Sequence, residues 1–259
     1  MAVALTIAGS DPSGGAGIQA DLKTFHQFGV YGEAVLTLLT VQNTVSVQRV
    51  EFLDPDFVLA QLRAVVEDIP PAAAKIGALG NVAIVEAVAA AAASFTFPLI
   101  VDPVMISKHG IPLLAEDARR AMALALLPHA ALVTPNLHEA AAFLGREVAT
   151  LPAMRDAARH IHALGARAVL VKGGHLAGAA IDLLYDGHTF TEFSSERFAT
   201  PHTHGTGCSY SAAITAQLAS GFTLAAAVAG AKRWISEAIR TNPGLGRGSG
   251  PVNHHAPIT

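Results

Sequence analysis

Residues 3–21 decide the fold and read Val3-Ala4-Leu5-Thr6-Ile7-Ala8-Gly9-Ser10-Asp11-Pro12-Ser13-Gly14-Gly15-Ala16-Gly17-Ile18-Gln19-Ala20-Asp21. The run Val3–Ala8 is typical of a buried strand, because it is short, apolar and closed by a cluster of glycine and polar residues. Apolar residues with helical spacing begin at Gly17 and stop near Gly29, and glycine is favoured just after a helix ends. The stretch therefore predicts a strand, a glycine-rich loop and a helix.

The same alternation of short apolar runs and helical patterns continues along the chain. Asp54-Pro55 marks one helix start, and Asp186-Gly187 between two β-rich runs predicts an antiparallel hairpin. The predicted strands span residues 3–8, 33–41, 45–52, 74–77, 99–101, 131–134, 168–172, 181–185 and 189–193. The predicted helices begin near residues 17, 54, 81, 116, 136, 152, 207 and 223. This order predicts an α/β fold, with a largely parallel sheet covered by helices on both faces.

The composition is that of a folded protein with a large core. Hydrophobic residues make up 51% of the 259 residues and charged residues only 14%, which excludes an intrinsically disordered chain. The formal charge of -3 argues against a surface for nucleic acid or for anionic membranes. No linker, charge block or repeat divides residues 1–259, so we expect a single domain. The only cysteine, Cys208, favours a reducing compartment, so we expect a cytoplasmic protein.

One long uncharged segment, between Arg197 and Lys232, raises the question of a membrane span. A spanning helix needs about 20 predominantly apolar residues. Gln217 and the pair Ser220-Gly221 interrupt the most apolar part of the segment. We therefore expect two buried helices around a turn, and no insertion into a membrane.

The first glycine loop contains Gly15-Ala16-Gly17-Ile18-Gln19-Ala20, which matches a pattern for binding dinucleotides. That pattern requires an acidic residue about 20 residues further on. Nothing acidic occurs between Glu33 and Glu51, so a dehydrogenase is disfavoured. The glycines could instead serve close packing of a strand on a helix, but this would leave Asp11 and Asp21 unexplained.

A second glycine stretch, Thr203-His204-Gly205-Thr206-Gly207-Cys208-Ser209, precedes a long apolar helix. Small residues at a helix N-terminus let backbone N–H groups converge on an anion, such as a phosphoryl group in transfer. Cys208 would lie in the first turn, where the helix dipole is expected to lower the thiol pKa. The alternative is that Cys208 is an inert, small core residue.

Lysines and carboxylates also cluster in the loops that follow predicted strands. Lys75, Lys108 and Lys172 lie at or just after strand ends, which suggests contacts with an anion, although solvated loop ends are an equal alternative. Asp102 follows another strand, and Asn136 with Glu139 three residues later forms the pattern of a capping box. A metal role for Glu139 could coexist with capping. The twelve histidines include no zinc-binding motif.

Taken together, these loops resemble the hydroxymethylpyrimidine/phosphomethylpyrimidine kinases of thiamine biosynthesis, a branch of the ribokinase-like kinases. The likeness runs in order along nearly the whole chain. Besides residues 5–25 and Gly250-Pro251-Val252-Asn253-His254, it includes Gln42-Asn43-Thr44, Lys75-Ile76-Gly77, Asp102-Pro103-Val104-Met105, Thr134-Pro135-Asn136, Lys172-Gly173-Gly174-His175 and His204-Gly205-Thr206-Gly207-Cys208.

The resemblance implies a ribokinase-like three-layer α/β/α sandwich with a mostly parallel central sheet. It implies that ATP phosphorylates the pyrimidine alcohol to a monophosphate, and then the monophosphate to a diphosphate, in one site. The implied partners are the small pyrimidine substrate and ATP, with Mg²⁺ as cofactor and no nucleic acid or membrane. Family likeness also suggests a homodimer.

The resemblance assigns a role to each matching position. Cys208 would be the catalytic base, and Gly205, Thr206 and Gly207 would form the anion hole. The residues implied in substrate binding are Gln42, Gly9, Asp21, Ala78 and Val104. The residues implied along the nucleotide are Lys172, Gly173, Gly174, Asn136 and Thr203. Asp102 and Glu139 would hold Mg²⁺, in part through water.

Two positions depart from the family pattern. Ala78 stands where methionine is usual, which loosens the expected pyrimidine pocket, and His109 in Lys108-His109-Gly110 stands where serine is usual. The nearest alternative is a pyridoxal or pyridoxine kinase of the same branch, which shares the glycine loop and the Gly-Thr/Ala-Gly-Cys end. Gln42-Asn43-Thr44 favours the pyrimidine, and Ala78 leaves dual activity open. A non-catalytic binding protein on this fold and a cysteine hydrolase are more distant alternatives.

Overall fold

The computed structural model describes residues 1–107, 110–174, 176 and 180–258. The strands are β1 (Val3–Ser10), β2 (Tyr31–Gln42), β3 (Val47–Phe52), β4 (Ala73–Ile76), β5 (Leu99–Val101), β6 (Leu132–Val133), β7 (Val169–Val171), β8 (Ala180–Tyr185) and β9 (Phe190–Ser195). The α-helices are α1 (Gly17–Gln27), α2 (Pro55–Asp68), α3 (Val82–Ala92), α4 (Glu116–Ala121), α5 (Leu137–Leu144), α6 (Leu151–Ala163), α7 (Thr206–Ala219) and α8 (Leu224–Arg240). The predicted Lys108-His109 part of one loop lies outside the described residues.

Within the described residues, nine strands form one sheet in the order β3-β2-β1-β4-β5-β6-β7-β8-β9. Six neighbouring strands in the middle of this order run parallel to one another, namely β2, β1, β4, β5, β6 and β7. β3 pairs antiparallel with β2, and the β8–β9 hairpin continues the sheet antiparallel to β7. The predicted hairpin and the largely parallel sheet are both confirmed.

Helices cover both faces of the sheet, because alternate residues of the buried strands point to opposite sides. On β5, Leu99 and Val101 pack into the core beneath α2 to α6, whereas Ile100 packs into the core beneath α7 and α8. A smaller cluster at Phe25 joins α1 to α7 on the second face. The protein therefore has the three layers that were predicted.

Several helix starts follow from local side-chain chemistry. The Asp54 carboxylate accepts the backbone amides of Asp56 and Phe57 at 2.9 and 3.3 Å and opens α2, as Asp54-Pro55 predicts. The Asn136 side chain and Glu139 form the predicted capping box at the start of α5.

The predicted helix from residue 116 to 127 is shorter than expected. α4 ends at Ala121 and continues as a π-helical turn over Met122–Leu126 and a 3-10 turn over Leu127–His129. Pro128 accounts for the end of the α-helical pattern, because proline has no backbone N–H to donate to the carbonyl four residues earlier.

The uncharged segment forms α7 and the start of α8, but only α7 is enclosed. Most residues of α7 are buried, whereas Ala225, Ala226 and Arg233 of α8 are exposed. The expectation of two buried helices is therefore wrong for α8, which is amphipathic and lies on the surface. No helix in the described part of the chain is both long and apolar enough to cross a membrane.

Candidate active site

A cavity of about 900 Å³ opens at the carboxyl ends of the central strands, where ligands bind in open α/β sheets. The loops that follow β1, β4, β5, β6 and β7 contribute to its wall, together with the N-terminal turn of α7. The cavity therefore gathers the polar loops that the sequence singled out.

The first glycine loop folds back on itself between β1 and α1. Gly17 has φ +57°, and a Cβ on it would lie 2.3 Å from the carbonyl oxygen of Gly9. A Cβ on Gly9 would lie 2.5 Å from the side chain of Leu38. These close approaches need glycine and place the backbone of the loop against the cavity.

The N-terminal turn of α7 reaches the same cavity. Its N-cap, Gly205, has φ +77° and supplies no side-chain cap. The first-turn amides of Gly207 and Cys208 have no helical carbonyl to bind, so they remain available to an anion. A Cβ on Gly207 would lie only 3.2 Å from the Lys172 ammonium, so a full positive charge flanks these donors.

Lys172 joins two carboxylates beside this turn. Its ammonium lies 2.8 Å from Oδ1 of Asp102, which also accepts the Thr134 hydroxyl at 3.2 Å. Burial opposes the charge of Asp102, but Lys172 and Lys75 outweigh it and lower the pKa of this carboxyl. Burial also disfavours a charged Lys172, yet Asp102 and Glu139 raise its pKa. The pair is therefore ionised at neutral pH.

Glu139 is the second carboxylate, and its environment differs. Its Oε2 accepts the Asn136 amide at 2.8 Å within the capping box. Burial raises the pKa of Glu139 to about 7, although Lys172 acts in the opposite direction. Glu139 can therefore gain or lose a proton near neutral pH.

Cys208 is a half-buried free thiol in the first turn of α7. Burial raises its pKa to about 11, although the Lys75 ammonium and the Gly17 amide act to lower it. The expectation of a lowered pKa is therefore wrong for the protein without ligands. The physical reason is that desolvation of the thiolate outweighs the helix start and the nearby ammonium.

Two predicted site residues lie behind the cavity wall. Asp21 is fully buried and binds the Lys75 ammonium at 2.7 and 2.9 Å and the Thr6 hydroxyl at 2.7 Å, so it does not reach the cavity as a predicted substrate contact should. Gly173 donates its amide to Asp182 at 2.9 Å, and a Cβ there would lie 1.9 Å from a carbonyl oxygen of β8. Close packing on the hairpin explains this glycine.

The other predicted residues are brought together. The predicted residues that line the cavity are Gly9, Gln42, Ala78, Asp102, Val104, Asn136, Glu139, Lys172, Gly174, Thr203, Gly205, Thr206, Gly207 and Cys208. The Thr37 hydroxyl fixes the Ala78 carbonyl at 2.6 Å. The residues implied for the pyrimidine and those implied for the phosphoryl group thus share one cavity.

Comparison with known proteins shows which family this chain belongs to. A family model described as phosphomethylpyrimidine kinase matches residues 11–253. The chain belongs to the phosphomethylpyrimidine kinase family. It is 44% identical over 258 residues to a hydroxymethylpyrimidine/phosphomethylpyrimidine kinase of Synechococcus elongatus, covering 99% of this chain and 98% of the relative.

Two further proteins are similar to this chain. The thiamine biosynthesis bifunctional protein ThiED of Geobacter sulfurreducens is 48% identical over 96% of this chain, which spans about half (51%) of that protein's length. The structure of an ADP complex of Bacillus subtilis pyridoxal kinase superimposes with a TM-score of 0.92 at 42% identity, covering 99% of this chain and 98% of that one. The fold expected from the resemblance is confirmed.

Sequence reasoning assigned no role to several residues in or beside the cavity. His204 and Asp11 form a buried pair at 2.8 Å, and Lys232 binds Asp182 at 2.7 Å. Tyr210 also lines the cavity, and burial and the neighbouring Asp182 raise its pKa well above the usual value. Lys75 was noted for its place at a strand end, but no sequence pattern pairs it with Asp21.

The residues at the carboxylate end of the cavity fit a magnesium ion that is shared with a nucleotide. Mg²⁺ is usually bound by one or two carboxylates, retained waters and substrate phosphates. Asp102 and Glu139 provide two buried carboxylates on the cavity wall. No group of three or more metal-binding side chains occurs among the residues that the structure describes, so phosphates and water would have to complete the shell.

The buried pair of Asp21 and Lys75 predicts a large effect on stability. Asp21→Asn would leave the fully buried Lys75 ammonium without its counter-ion, and breaking a buried pair costs about 3–5 kcal/mol. Urea unfolding should show this loss in the free energy of unfolding. The matched control is Glu51→Gln, which breaks the exposed pair with Arg49 and should change stability by less than about 1 kcal/mol. Equal effects of the two variants would contradict the prediction.

Proposed function

We propose that this chain phosphorylates 4-amino-5-hydroxymethyl-2-methylpyrimidine with ATP, first to the monophosphate and then to the diphosphate, for thiamine diphosphate biosynthesis. The observation that carries the proposal is the meeting of Gln42 and the α7 N-terminal turn in one cavity of a phosphomethylpyrimidine kinase family member. At one end of the cavity, Gln42 can hydrogen-bond a small heterocycle. The other end offers amides and Lys172 to phosphate groups.

In the first step, the hydroxymethyl oxygen attacks the γ-phosphorus of ATP. A new O–P bond forms, the bond between the γ-phosphorus and the β–γ bridging oxygen breaks, and ADP leaves. We assign the anion hole to Gly205, Thr206 and Gly207. The free first-turn amides of Gly207 and Cys208 and the Lys172 ammonium stabilise the charge on the transferring group, while the Thr206 amide is held by the Thr203 carbonyl at 3.3 Å. The thiolate form of Cys208 accepts the proton that the alcohol loses.

In the second step, an oxygen of the pyrimidine monophosphate attacks the γ-phosphorus of a second ATP. This nucleophile is already anionic near neutral pH, so it has little need of a base. The same amides and Lys172 serve both steps. We assign Lys172, Gly174, Asn136 and Thr203 to the nucleotide, with Gly173 supporting the turn from behind.

Asp102 and Glu139 are the residues that would hold Mg²⁺, in part through water. The bound ion would neutralise the charge of the nucleotide phosphates and of the developing transition state. Lys172 would keep the Asp102 carboxylate ionised for this purpose.

We also propose that the protein works as a homodimer in the cytoplasm. The cytoplasm supplies ATP and keeps the free thiol of Cys208 reduced. Apolar residues of β2 and β3 that are exposed in the single chain, namely Leu39, Val41 and Phe52, offer a surface for a second copy. Sedimentation should show a mass twice the 26.7 kDa of the chain.

One incubation tests the substrate and the number of steps together. The protein is mixed with Mg-ATP and either the pyrimidine alcohol or pyridoxal, and the products are identified by mass. We expect two successive phosphoryl additions to the pyrimidine. Phosphorylation of pyridoxal alone would favour a pyridoxal kinase, the alternative suggested by Ala78 and by the similarity to the Bacillus subtilis structure. ADP release without either substrate measures background hydrolysis, and no turnover at all would indicate a non-catalytic binding protein.

A further inference from the structure

Residues 250–256, here called the tail segment, follow the last helix and belong to no helix or strand, yet they pack into the core. Val252 and Ala256 are 1% and 0% exposed and lie in the core beneath α7 and α8. The Asn253 amide donates to a carbonyl of α8 at 2.9 Å, and the Ala256 carbonyl accepts Trp234 Nε1 at 3.1 Å. The tail segment is therefore held firmly against α8.

The tail segment makes its first contact with the active site just before the α7 N-terminal turn. The His204 amide donates to the Gly250 carbonyl at 3.0 Å, and the Val252 amide donates to the His204 carbonyl at 3.4 Å. Both backbone groups of the residue that precedes the turn are therefore bound to the tail segment.

The second contact is a side-chain hydrogen bond just after the residues of the turn. Ser209 Oγ and His254 Nε2 lie 3.0 Å apart, and these two residues are 0% and 7% exposed. Burial lowers the pKa of His254 to about 4, so the ring is neutral at neutral pH and binds the hydroxyl without a buried charge. The Ser209 amide also donates to the Gly205 carbonyl at 2.8 Å. His254 therefore holds Ser209, and Ser209 holds the residue that opens the turn.

These two contacts bracket residues 205–208, which contain the anion hole and Cys208. The N-cap Gly205 has no side-chain cap, so the usual local support for a helix start is absent. A site that acts by positioning loses on the order of 10² in rate when its groups move by about 1 Å. The turn thus needs support from outside the helix, and the tail segment provides it on both sides.

We propose that the tail segment is a clamp that fixes the α7 N-terminal turn, and that His254 is a positioning residue that acts through Ser209. The inference rests on the proposed function and extends it to residues 250–254, which are not among the described residues that line the cavity. It gives a role to Gly250-Pro251-Val252-Asn253-His254, the last of the sequence motifs.

The kinetic test compares two substitutions at one position. His254→Leu removes the hydrogen bond, whereas His254→Gln keeps a polar side chain of similar reach. We expect His254→Leu to lower kcat about 100-fold in both phosphorylations, because both use the same turn. The KM for the pyrimidine should change little, and His254→Gln should recover most of the lost rate. Ser209→Ala combined with His254→Leu should be no slower than the slower single variant, because the two residues act through one contact.

A second measurement reports on the turn without any turnover. Cys208 is the only cysteine of the chain, so alkylation by iodoacetamide has a single target. Burial raises the pKa of this thiol to about 11, and the thiolate is the form that reacts, so the wild type should react slowly. A loosened turn in His254→Leu admits water to the thiol and should speed alkylation by at least about tenfold at neutral pH. His254→Gln should react at close to the rate of the wild type.

Two control variants separate a local effect from a general loss of stability. His255→Leu changes the exposed neighbour of His254, whose side chain lies outside the clamp. Gly221→Ala strains the other end of α7, where the backbone has φ +86° and a Cβ would meet nothing within 4 Å. Both controls should keep their turnover and react with iodoacetamide at close to the rate of the wild type.

The alkylation rate decides between a clamp and a merely structural contact. A rate in His254→Leu that does not exceed the rate in Gly221→Ala would overturn the proposal, and so would faster alkylation with an unchanged kcat. If His254→Leu does not fold, Ser209→Ala removes only the hydroxyl of the pair and carries the same expectations. Alkylation that follows these expectations in a protein that phosphorylates no pyrimidine would overturn the proposed function and leave the clamp in place.

Discussion

Replacement of Cys208 by alanine is expected to slow the first phosphorylation by about 10²- to 10⁴-fold, the usual contribution of a positioned base. The alcohol must lose a proton during transfer, and Cys208 is the group at the α7 N-terminus that we assign to accept it. The second phosphorylation uses an anionic phosphate as nucleophile and should slow by less than about tenfold. Each step is measured separately, starting from the alcohol or from the monophosphate.

The pH dependence of the wild type provides an independent check on Cys208. Because burial places the pKa of this thiol at about 11, the thiolate is a minor species at neutral pH. At pH values below that pKa, each increase of one pH unit raises the fraction of thiolate about tenfold. The rate of the first step should therefore rise with pH in the wild type and lose this rise in Cys208→Ala. Equal losses in both steps would contradict a base role, because they would indicate damage to the shared anion hole.

Gly205→Ala is expected to disable both steps together, by at least about 100-fold. A Cβ on Gly205 would lie 1.7 Å from the carbonyl oxygen of Gly15, so the helix start or the first glycine loop must move. A displacement of about 1 Å in a site that acts by positioning costs on the order of 10² in rate. The left-handed backbone, φ +77°, adds about 1–2 kcal/mol of strain for a residue with a side chain.

The C-terminal end of α7 offers a matched control for this variant. Gly221, just after α7, also has a left-handed backbone, with φ +86°, but a Cβ there would meet nothing within 4 Å. Gly221→Ala should therefore lose about 1–2 kcal/mol of stability and keep its turnover. Thermal unfolding measures the stability lost to backbone strain. The separate assays of the two phosphorylation steps measure the rate lost when the anion hole is displaced. Near-normal turnover in Gly205→Ala would show that the anion hole does not need the contact between the two loops.

Much of the fold could be predicted because its signals are local. Strand and helix periods, the cap at Asp54 and the capping box of Asn136 and Glu139 depend on residues a few positions apart. The prediction went wrong where a local pattern met a longer-range effect. The helix at residue 116 changes form before Pro128, and α8 lies on the surface because only one of its faces meets α7 and the sheet.

The candidate site was predictable only in outline. The glycine loops and polar strand ends placed most cavity residues correctly, since the carboxyl ends of parallel strands meet at one edge of a sheet. Asp21 and Gly173 match family motifs equally well, yet they lie behind the cavity wall. A motif records that a residue type is needed, and it does not distinguish contact with a ligand from support of the residues that make the contact.

The succession of strands and helices, the α/β class and the loops that carry the chemistry follow from local sequence patterns, because these features depend on periodicity and on the conformational limits of glycine and proline. Which charged groups meet depends on how the distant parts of the chain pack together. The tertiary structure pairs Asp11 with His204 across 193 residues and Asp102 with Lys172 across 70. It also decided that the pKa of Cys208 rises, because desolvation depends on everything packed around the thiol. A linear sequence does not specify that environment until the chain has folded.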